Sequence, residues 1–133
     1  MSKIYDVIVL GAGPAGLAAG LYAGRSRLSV LIVEKGQDGG QISITDEIEN
    51  YPGQMVEGES GPSLIERMTK QVEKFGAERV TDTINKVELE GPVKKLYGTK
   101  GEYQCKCLII ATGAYPRPIG CKREGEFVGK GVS

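Results

Sequence analysis

Two nearly continuous apolar runs near the N-terminus flank a segment with helical character. The first run covers residues 3–10 and the second covers residues 29–34. Uninterrupted runs rich in β-branched residues are typical of strands that are buried on both faces, as in a parallel sheet. The segment between them, residues 15–25, is rich in Ala and Leu. The pattern therefore predicts a strand, a helix and a second parallel strand in immediate succession.

The predicted helix carries a glycine at every fourth position. The three residues are Gly16, Gly20 and Gly24. An interior glycine destabilises a helix by about 1 kcal/mol relative to alanine, and residues four apart share one side of the helix. The stripe therefore predicts that this side packs closely against a strand or a ligand.

The chain then passes from a long irregular segment to a second periodic one. Residues 35–60 show little periodicity, over a length that compact domains tolerate mainly for a functional reason. Pro62 follows Ser60 and Gly61, which is a helix-start signal, and Gly76 stops the run that follows. Apolar residues recur at helical spacing between these limits: Leu64, Ile65, Met68, Val72 and Phe75. We expect a second, amphipathic helix here.

The remaining apolar runs are short and separated by turns. Residues 78–81 predict a third parallel strand, and the LIIAT run at residues 108–112 predicts a further buried strand that ends at Gly113. Three small strands are predicted between them, at residues 84–89, 93–97 and 102–105, joined by turns as an antiparallel insertion. The sequence therefore predicts an α/β fold with a parallel sheet, flanking helices and a small antiparallel β insertion.

Length and charge limit the classes of protein to which the chain can belong. A chain of 133 residues is one domain or a piece of a larger one. Lys+Arg and Asp+Glu both number 17, so there is no basic field for nucleic acid. No apolar run approaches the roughly 18 residues of a membrane span, and the N-terminus lacks a signal-peptide pattern. We expect a cytoplasmic protein that binds neither nucleic acid nor membrane.

The cysteines do not suggest a metal site or a disulfide framework. There are three of them, Cys105, Cys107 and Cys121, and the chain has no His to complete a zinc site. Strand alternation places Cys105 and Cys107 on one face of a strand that is predicted to be buried. We expect ordinary buried thiols there, with a redox pair as the alternative.

The turn after the first predicted strand has the pattern G-x-G-x-x-G. Its residues are Gly11, Ala12, Gly13, Pro14, Ala15 and Gly16. In this pattern the first glycine allows a tight strand-to-helix turn, the second lets a pyrophosphate approach the backbone, and the third allows close packing of helix and strand. The phosphates would meet N–H groups at the positive end of the helix. The pattern alone is weak, but its place between a predicted strand and helix favours nucleotide binding over a structural turn.

An acidic residue follows at the expected distance. Glu34 ends the second strand, 18 positions after Gly16, where a carboxylate would accept hydrogen bonds from ribose hydroxyls. A solvated charge at the strand end is the alternative. Lys35 follows it, and we include Lys35 in the predicted cofactor site. These features do not separate FAD from NAD.

Further stretches, in register along the whole chain, resemble the FAD domain of low-molecular-weight thioredoxin reductases. The most specific are GGQI at residues 39–42, ENYPG at residues 49–53 and ATGA at residues 111–114. The INKVEL, GEYQC and GKGVS segments also fit. The resemblance implies a Rossmann-like FAD-binding domain.

The resemblance also implies further cofactor-binding residues. Gly39 and Gly40 would let the backbone approach a flat ring, and Gln41, followed by Ile42, can offer a donor and an acceptor to the polar edge of the flavin. Asn50 would direct its amide at the flavin, and Val80 marks where the family holds adenine through backbone groups. The small residues at a strand end near the cofactor would be Ala111, Thr112 and Gly113. A plain glycine loop and ordinary turns are the alternative interpretations.

The implied activity belongs to a longer polypeptide. Enzymes of this family are homodimers that pass electrons from NADPH through FAD to a Cys-x-x-Cys disulfide and then to thioredoxin. We therefore expect residues 1–133 to be the N-terminal segment of an incomplete FAD-binding domain, ending at Ser133 before the Cys-x-x-Cys pair and the nicotinamide domain. Alone, the chain would be inactive, would bind FAD weakly and would expose an apolar patch.

Several alternatives stay open at this level. The electron donor of the parent enzyme could be NADPH, NADH or, as in ferredoxin-dependent flavin thioredoxin reductases, reduced ferredoxin. The chain could also be a stand-alone nucleotide- or flavin-binding module without catalysis. The segment around Cys121 departs from the family pattern, which puts only the local loop in doubt.

Overall fold

The computed structural model describes residues 3–131, so the expectations about Ser133 lie outside the described residues. The strands are β1 (Ile4–Leu10), β2 (Val30–Glu34), β3 (Glu78–Thr81), β4 (Ile84–Glu88), β5 (Lys94–Gly98) and β6 (Glu102–Ile110). The helices are α1 (Pro14–Arg25), a 3₁₀ helix at Gly40–Ile44, α2 (Gly61–Lys74) and α3 (Glu124–Phe127). No helix in the described range is long and apolar enough to cross a membrane.

All six strands belong to one mixed sheet with the order β3-β2-β1-β6-β5-β4. The pairs β1–β2, β2–β3 and β1–β6 are parallel, whereas β4–β5 and β5–β6 are antiparallel. The predicted α/β class, with parallel strands, flanking helices and an antiparallel part, is confirmed. The antiparallel strands extend the parallel sheet and do not form a separate sheet.

One strand boundary was predicted wrongly. The sequence predicts separate strands at residues 102–105 and 108–112, but β6 runs without a break from Glu102 to Ile110. Its first half pairs with β5 and most of its length pairs with β1, with Cys105 in register with both Lys94 and Tyr5. Pairing on both sides keeps the intervening residues extended.

The sheet must curl strongly, because the chain passes from β3 to β4 in two residues. These strands lie at opposite edges of the sheet. The three Cα steps from Thr81 to Ile84 cover at most about 11 Å. Six flat strands at the usual separation of about 4.8 Å would place the two edges about 24 Å apart. The antiparallel strands therefore fold back over the parallel ones.

Helices α1 and α2 cover one face of the parallel strands. Val7, Val9, Val30 and Ile32 form a buried cluster there with residues of both helices. The predicted close packing of the glycine stripe against a strand is confirmed at Gly20, where an added Cβ would lie 2.7 Å from Ile32 Cδ1. The other two glycines are closely packed against backbone outside the strands, Gly24 at Phe75 and Gly16 at Gly11.

The antiparallel strands cover the opposite face and create a second core. Ile8, Leu31 and Val33 from β1 and β2 pack with Leu96 of β5 and Cys105 of β6. Three layers result, with the helices on one side of the parallel strands and the folded-back strands on the other. Burial raises the pKa of the Cys105 thiol.

The expected burial of both cysteines in β6 is half wrong. Cys105 is fully buried, but Cys107 is exposed. Leu108 packs against the same cluster as Cys105, although the two are three positions apart. The strict alternation that would place Cys105 and Cys107 on one face therefore does not hold along this strand.

The irregular segments contain more structure than their patterns indicate. The sequence shows no helix between residues 35 and 60, yet the 3₁₀ helix begins there after Gly39, which has a φ of +114°. The four-residue helix α3 near the C-terminus was also not predicted. By contrast, α2 begins where expected, with the Ser60 side chain accepting a hydrogen bond from the Ser63 N–H at 3.2 Å. Ile110, the last residue of β6, is 64% exposed, and the larger apolar patch expected from the sequence stays a prediction.

The folded-back layer provides a test of the fold. Leu96 is fully buried in the second core, so Leu96→Ala should destabilise the chain by about 2–5 kcal/mol. Leu89, which follows β4 and is 44% exposed, supplies a matched control whose change to alanine should stay within about 0.5 kcal/mol. Urea denaturation measures both. Equal small effects would show that β5 does not cover the parallel strands.

Candidate functional site

The glycine-rich turn joins the end of β1 to the start of α1. Gly11 has a φ of +109°, and a Cβ at this position would lie 2.2 Å from the Ala111 carbonyl oxygen. Only glycine fits there, because both the φ angle and the close approach exclude a side chain. Gly11 and Ala111, both predicted site residues, are therefore in contact. This contact sets the separation of the turn from the segment that follows β6.

Gly13 differs from Gly11 because it faces open space. A Cβ added to Gly13 would meet no atom within 4 Å, and its φ of −74° is one that any residue can adopt. Gly13 is the N-cap of α1, it provides no side-chain cap, and Pro14 occupies the first helical position. N–H groups at the start of a helix attract anions. The open space in front of Gly13 is thus available to a phosphate.

Glu34 is fastened to the turn by its own carboxylate. Oε2 accepts a hydrogen bond from the Ala12 N–H at 2.8 Å, and Oε1 accepts one from the Gly36 N–H at 3.0 Å. A carboxylate has about four lone-pair positions, so each oxygen can accept a further bond. The orientation is therefore fixed while the capacity to bind a hydroxyl is retained.

A cavity of about 250 Å³ lies at the carboxyl ends of the parallel strands. In open α/β sheets this is the edge where ligands bind. Several predicted site residues line it, namely Gly11, Glu34, Lys35 and Thr112. The remaining lining residues are Leu10, Val33, Asp82, Thr83 and Ile84.

A second cavity, of about 400 Å³, lies beside the start of α1. Pro14, Ile42 and Asn50, all predicted site residues, line it together with Tyr51 and Met68. It is flanked by the long segment between β2 and α2. The structure therefore brings Asn50 to the same end of α1 as the glycine turn.

The GGQI stretch is joined to the turn by backbone contacts. The Gly39 N–H donates to the Ala12 carbonyl at 2.7 Å, and a Cβ at Gly40 would lie 3.8 Å from Gly13 Cα. The Gln41 amide donates from Nε2 to the Ala114 carbonyl at 3.3 Å, which reaches the segment after β6. Two of the stretches that carry the resemblance, GGQI and ATGA, thus contact the glycine turn, and the third, ENYPG, lines the second cavity beside it.

Val80 is one of the predicted site residues that line neither cavity. It pairs with Val33 in register and packs against the second core cluster. The adjoining cavity wall is formed further along the chain, by Asp82, Thr83 and Ile84. The expected contact of adenine with backbone groups of Val80 and its neighbours stays a prediction, because the packing of the side chain does not test it.

Sequence reasoning missed two buried carboxylates near the site. Asp82 is 3% exposed, and its only signal is a lone acid directly after a short strand. Burial by itself raises the pKa of Asp82, but hydrogen bonds from Tyr103, Lys100 and Thr83 outweigh burial and lower the pKa below its ordinary value. Burial and the hydrogen bond that Tyr103 donates to Asp82 raise the pKa of Tyr103 to about 12.

The second missed carboxylate, Glu59, organises the long segment that carries Asn50. Its side chain is 3% exposed and forms a two-point ion pair with Arg67 of α2. It also accepts hydrogen bonds from the Met55 N–H at 3.3 Å and the Ser63 hydroxyl at 3.1 Å, while its backbone carbonyl accepts one from the Ile48 N–H at 2.8 Å. Arg67 lowers the pKa of Glu59.

The described residues supply binding groups and no evident metal centre. Within residues 3–131, no group of three or more His, Cys, Asp or Glu side chains could hold a metal ion. The described cysteines are free thiols, with Cys121 exposed like Cys107. What the arrangement can do chemically is hold a phosphate and a ribose beside one another.

Comparison with known proteins identifies related sequences and structures. The family model described as pyridine nucleotide-disulphide oxidoreductase matches residues 5–133. A thioredoxin reductase from Peptoclostridium litorale is 53% identical over 133 residues, which cover 100% of this chain and 42% of that protein. A glucosaminate ammonia-lyase from Pseudomonas fluorescens is 46% identical over 127 residues, covering 96% of this chain and 39% of that protein.

A solved structure gives the same relationship. The crystal structure of thioredoxin reductase from Streptococcus pyogenes MGAS5005 superposes with a TM-score of 0.84 at 42% identity, over 96% of this chain and 41% of that chain. The present chain thus spans about two fifths of the length of the relatives that it matches.

The Glu59–Arg67 pair predicts a pH-dependent contribution to stability. Because the folded-state pKa of Glu59 is lowered from 4.5, its stabilising effect is present above about pH 4.5 and is lost as the pH falls through the folded-state pKa. Glu59→Gln should therefore destabilise the chain at pH 7, and the difference from wild type should shrink in acid. Urea denaturation at several pH values measures it.

The exposed residue Glu57 provides the control for this prediction. Glu57→Gln should have little effect at any of these pH values, because an exposed carboxylate contributes little to stability. A Glu59→Gln deficit that stays constant from pH 7 to pH 3 would contradict the proposed ion-pair contribution.

Proposed function

The chain belongs to the pyridine nucleotide-disulphide oxidoreductase family, and we propose that it is the FAD-binding N-terminal segment of a thioredoxin reductase-like flavoprotein. The single observation that carries this proposal is the geometry of the glycine turn. Gly13 opens to solvent at the start of α1, while Glu34 is fixed 2.8 Å from the Ala12 N–H beside a cavity of about 250 Å³.

The residues present fit the adenosine diphosphate end of FAD. A phosphate could lie against the backbone in the open space in front of Gly13. Any other residue at this position would place its Cβ in that space. Glu34 keeps the capacity to accept hydrogen bonds from ribose hydroxyls. The residues proposed to hold this end are Gly11, Ala12, Gly13, Pro14, Ala15, Gly16, Glu34, Lys35 and Thr112.

The residues beside the second cavity fit the flavin end. Gly39 is joined to the glycine turn through its N–H, and Gly40, which lies next to Gly13, has no side chain to obstruct a flat ring. We assign Gln41, Ile42, Asn50, Ala111 and Gly113 to this end, as the resemblance implies. Val80 would contribute only through its neighbours, because its side chain packs into the core.

In the complete protein, bound FAD would supply the transfer of electrons between a nicotinamide nucleotide and a disulfide. This chain's own residues bind and orient that cofactor. We further propose NADPH or NADH as donor, thioredoxin or a similar protein as the reduced partner, a homodimeric assembly and a cytoplasmic location. The family description names a pyridine nucleotide, which supports the proposed donor, and relatives named thioredoxin reductase support the proposed partner.

The chain by itself is proposed to be inactive and to bind FAD weakly. It has no Cys-x-x-Cys sequence and spans about two fifths of its relatives. The experiment is to add FAD to the purified chain, separate free flavin by gel filtration and record the visible spectrum, then assay NADPH oxidation with a disulfide substrate. Stoichiometric flavin retained by the monomer, or turnover by the chain alone, would contradict the proposal.

Gly13 provides the sharper test of the binding site. Gly13→Ala should lower the melting temperature only slightly, because its Cβ meets no atom within 4 Å and alanine is only a poorer N-cap, yet weaken FAD binding about tenfold by obstructing the phosphate. Titration with FAD, followed by NMR of the backbone amides, measures binding even when it is weak. In wild type the largest shifts should fall in residues 11–16 and at Glu34.

Gly101 is the matched control, since a Cβ there also meets no atom within 4 Å and it lies in the turn between β5 and β6. Gly101→Ala should bind FAD as wild type does. If Gly13→Ala binds equally well, or if the shifts lie away from the glycine turn, FAD does not bind at this site.

A further inference from the structure

We propose that Asp82 is a positioning residue for the adenosine-binding cavity: it holds the β3–β4 connection in place without contacting the nucleotide through its carboxylate. This inference rests on the proposed function for the identity of the ligand. The structural part, that Asp82 fixes the cavity wall, can be tested without any ligand.

The location of Asp82 is set by the curl of the sheet. Asp82 and Thr83 are the two residues between β3 and β4, and both line the cavity of about 250 Å³ opposite the ends of β1 and β2. The Asp82 N–H donates to the Glu34 carbonyl at 3.1 Å, which continues the β2–β3 pairing by one residue. The β3–β4 connection, Asp82 and Thr83, therefore also forms part of the cavity wall.

The carboxylate oxygens of Asp82 accept hydrogen bonds from groups within the protein. Oδ1 accepts from the Thr83 N–H at 2.7 Å, the Lys100 N–H lies 3.1 Å from both oxygens, and Oδ2 accepts from the Tyr103 hydroxyl at 2.8 Å. These donors come from the β3–β4 connection, the β5–β6 turn and β6. One buried side chain thus joins three segments of the folded-back layer.

The two carboxylates beside the cavity consequently have different tasks. Each oxygen of Glu34 accepts one backbone N–H and retains room for a ligand hydroxyl. Asp82 meets three internal donors and is 3% exposed. Glu34 is suited to contact a ribose, whereas Asp82 is suited to fix the opposite wall.

Neighbouring contacts show how tightly this wall is tied. The Thr83 carbonyl accepts from the Thr99 N–H at 3.0 Å, so both backbone groups of Thr83 are engaged. A Cβ on Gly98 would lie 2.2 Å from Asp82 Oδ2, so β5 approaches the carboxylate too closely for any side chain. Loss of the Asp82 acceptors would leave three partly buried donors without these partners, which favours displacement of the segment.

The test uses Asp82→Asn and Tyr103→Phe in the complete 133-residue chain. Asp82→Asn replaces an acceptor oxygen with a donor group, and Tyr103→Phe removes one donor while keeping the ring. Asp46→Asn is the matched control, because Asp46 is exposed. We expect faster hydrogen exchange at the Thr83 and Lys100 amides in Asp82→Asn, and ADP binding weakened by about tenfold, measured by NMR titration.

The Leu96→Ala variant distinguishes a loss of positioning by Asp82 from a general loss of protein stability. All variants are compared at a temperature where each is folded, so that a loss of ADP affinity cannot reflect unfolding. A positioning role predicts that Asp82→Asn, and to a smaller extent Tyr103→Phe, lose affinity while Leu96→Ala and Asp46→Asn keep it. If Asp82→Asn does not fold, the ADP affinity of Tyr103→Phe alone tests the positioning role.

The outcomes distinguish this inference from the proposed function. Wild-type ADP affinity in a folded Asp82→Asn, or in Tyr103→Phe where that variant decides, overturns the positioning role. Absence of ADP binding by wild type overturns the nucleotide site itself. In that case unchanged amide exchange at Thr83 and Lys100 in the variants would overturn the structural part as well.

Discussion

The two-residue connection between β3 and β4 constrains the rest of the molecule. It joins strands at opposite edges of a six-stranded sheet, a span that no flat sheet allows. The antiparallel strands must therefore fold over the parallel ones, where Leu96 and Cys105 bury the face that the helices leave open. Burial of apolar residues in this second core is what stabilises the curl.

The same constraint builds the candidate site. The β2–β3 pairing places Asp82 beside Glu34, and the connection that leads into β4 closes one side of the cavity at the strand ends. The other side depends on the contact of Gly11 with Ala111, which brings the glycine turn against the segment after β6. One end of the parallel strands thus carries the proposed binding groups.

Much of this arrangement can be predicted from local patterns. The strand, glycine turn and helix are specified by residues close in sequence, and the stripe at Gly16, Gly20 and Gly24 correctly indicates close packing. Asp82 could not be recognised, because its partner Tyr103 lies 21 residues away in sequence and only the folded sheet brings the two together. Glu59 pairs with Arg67, eight residues further along the chain, from a segment whose sequence shows little periodicity. Continuity of β6 likewise depends on pairing with β1, about a hundred residues away, which no local periodicity reveals.

The central claim is that the adenosine diphosphate end of FAD binds at the carboxyl ends of β1 and β2. A crystal structure of the chain with ADP would test it most directly. The account predicts a ribose hydroxyl within hydrogen-bonding distance of the Glu34 carboxylate and a phosphate against the backbone at Gly13. A nucleotide bound elsewhere on the chain, with the cavity beside Glu34 left empty, would contradict it.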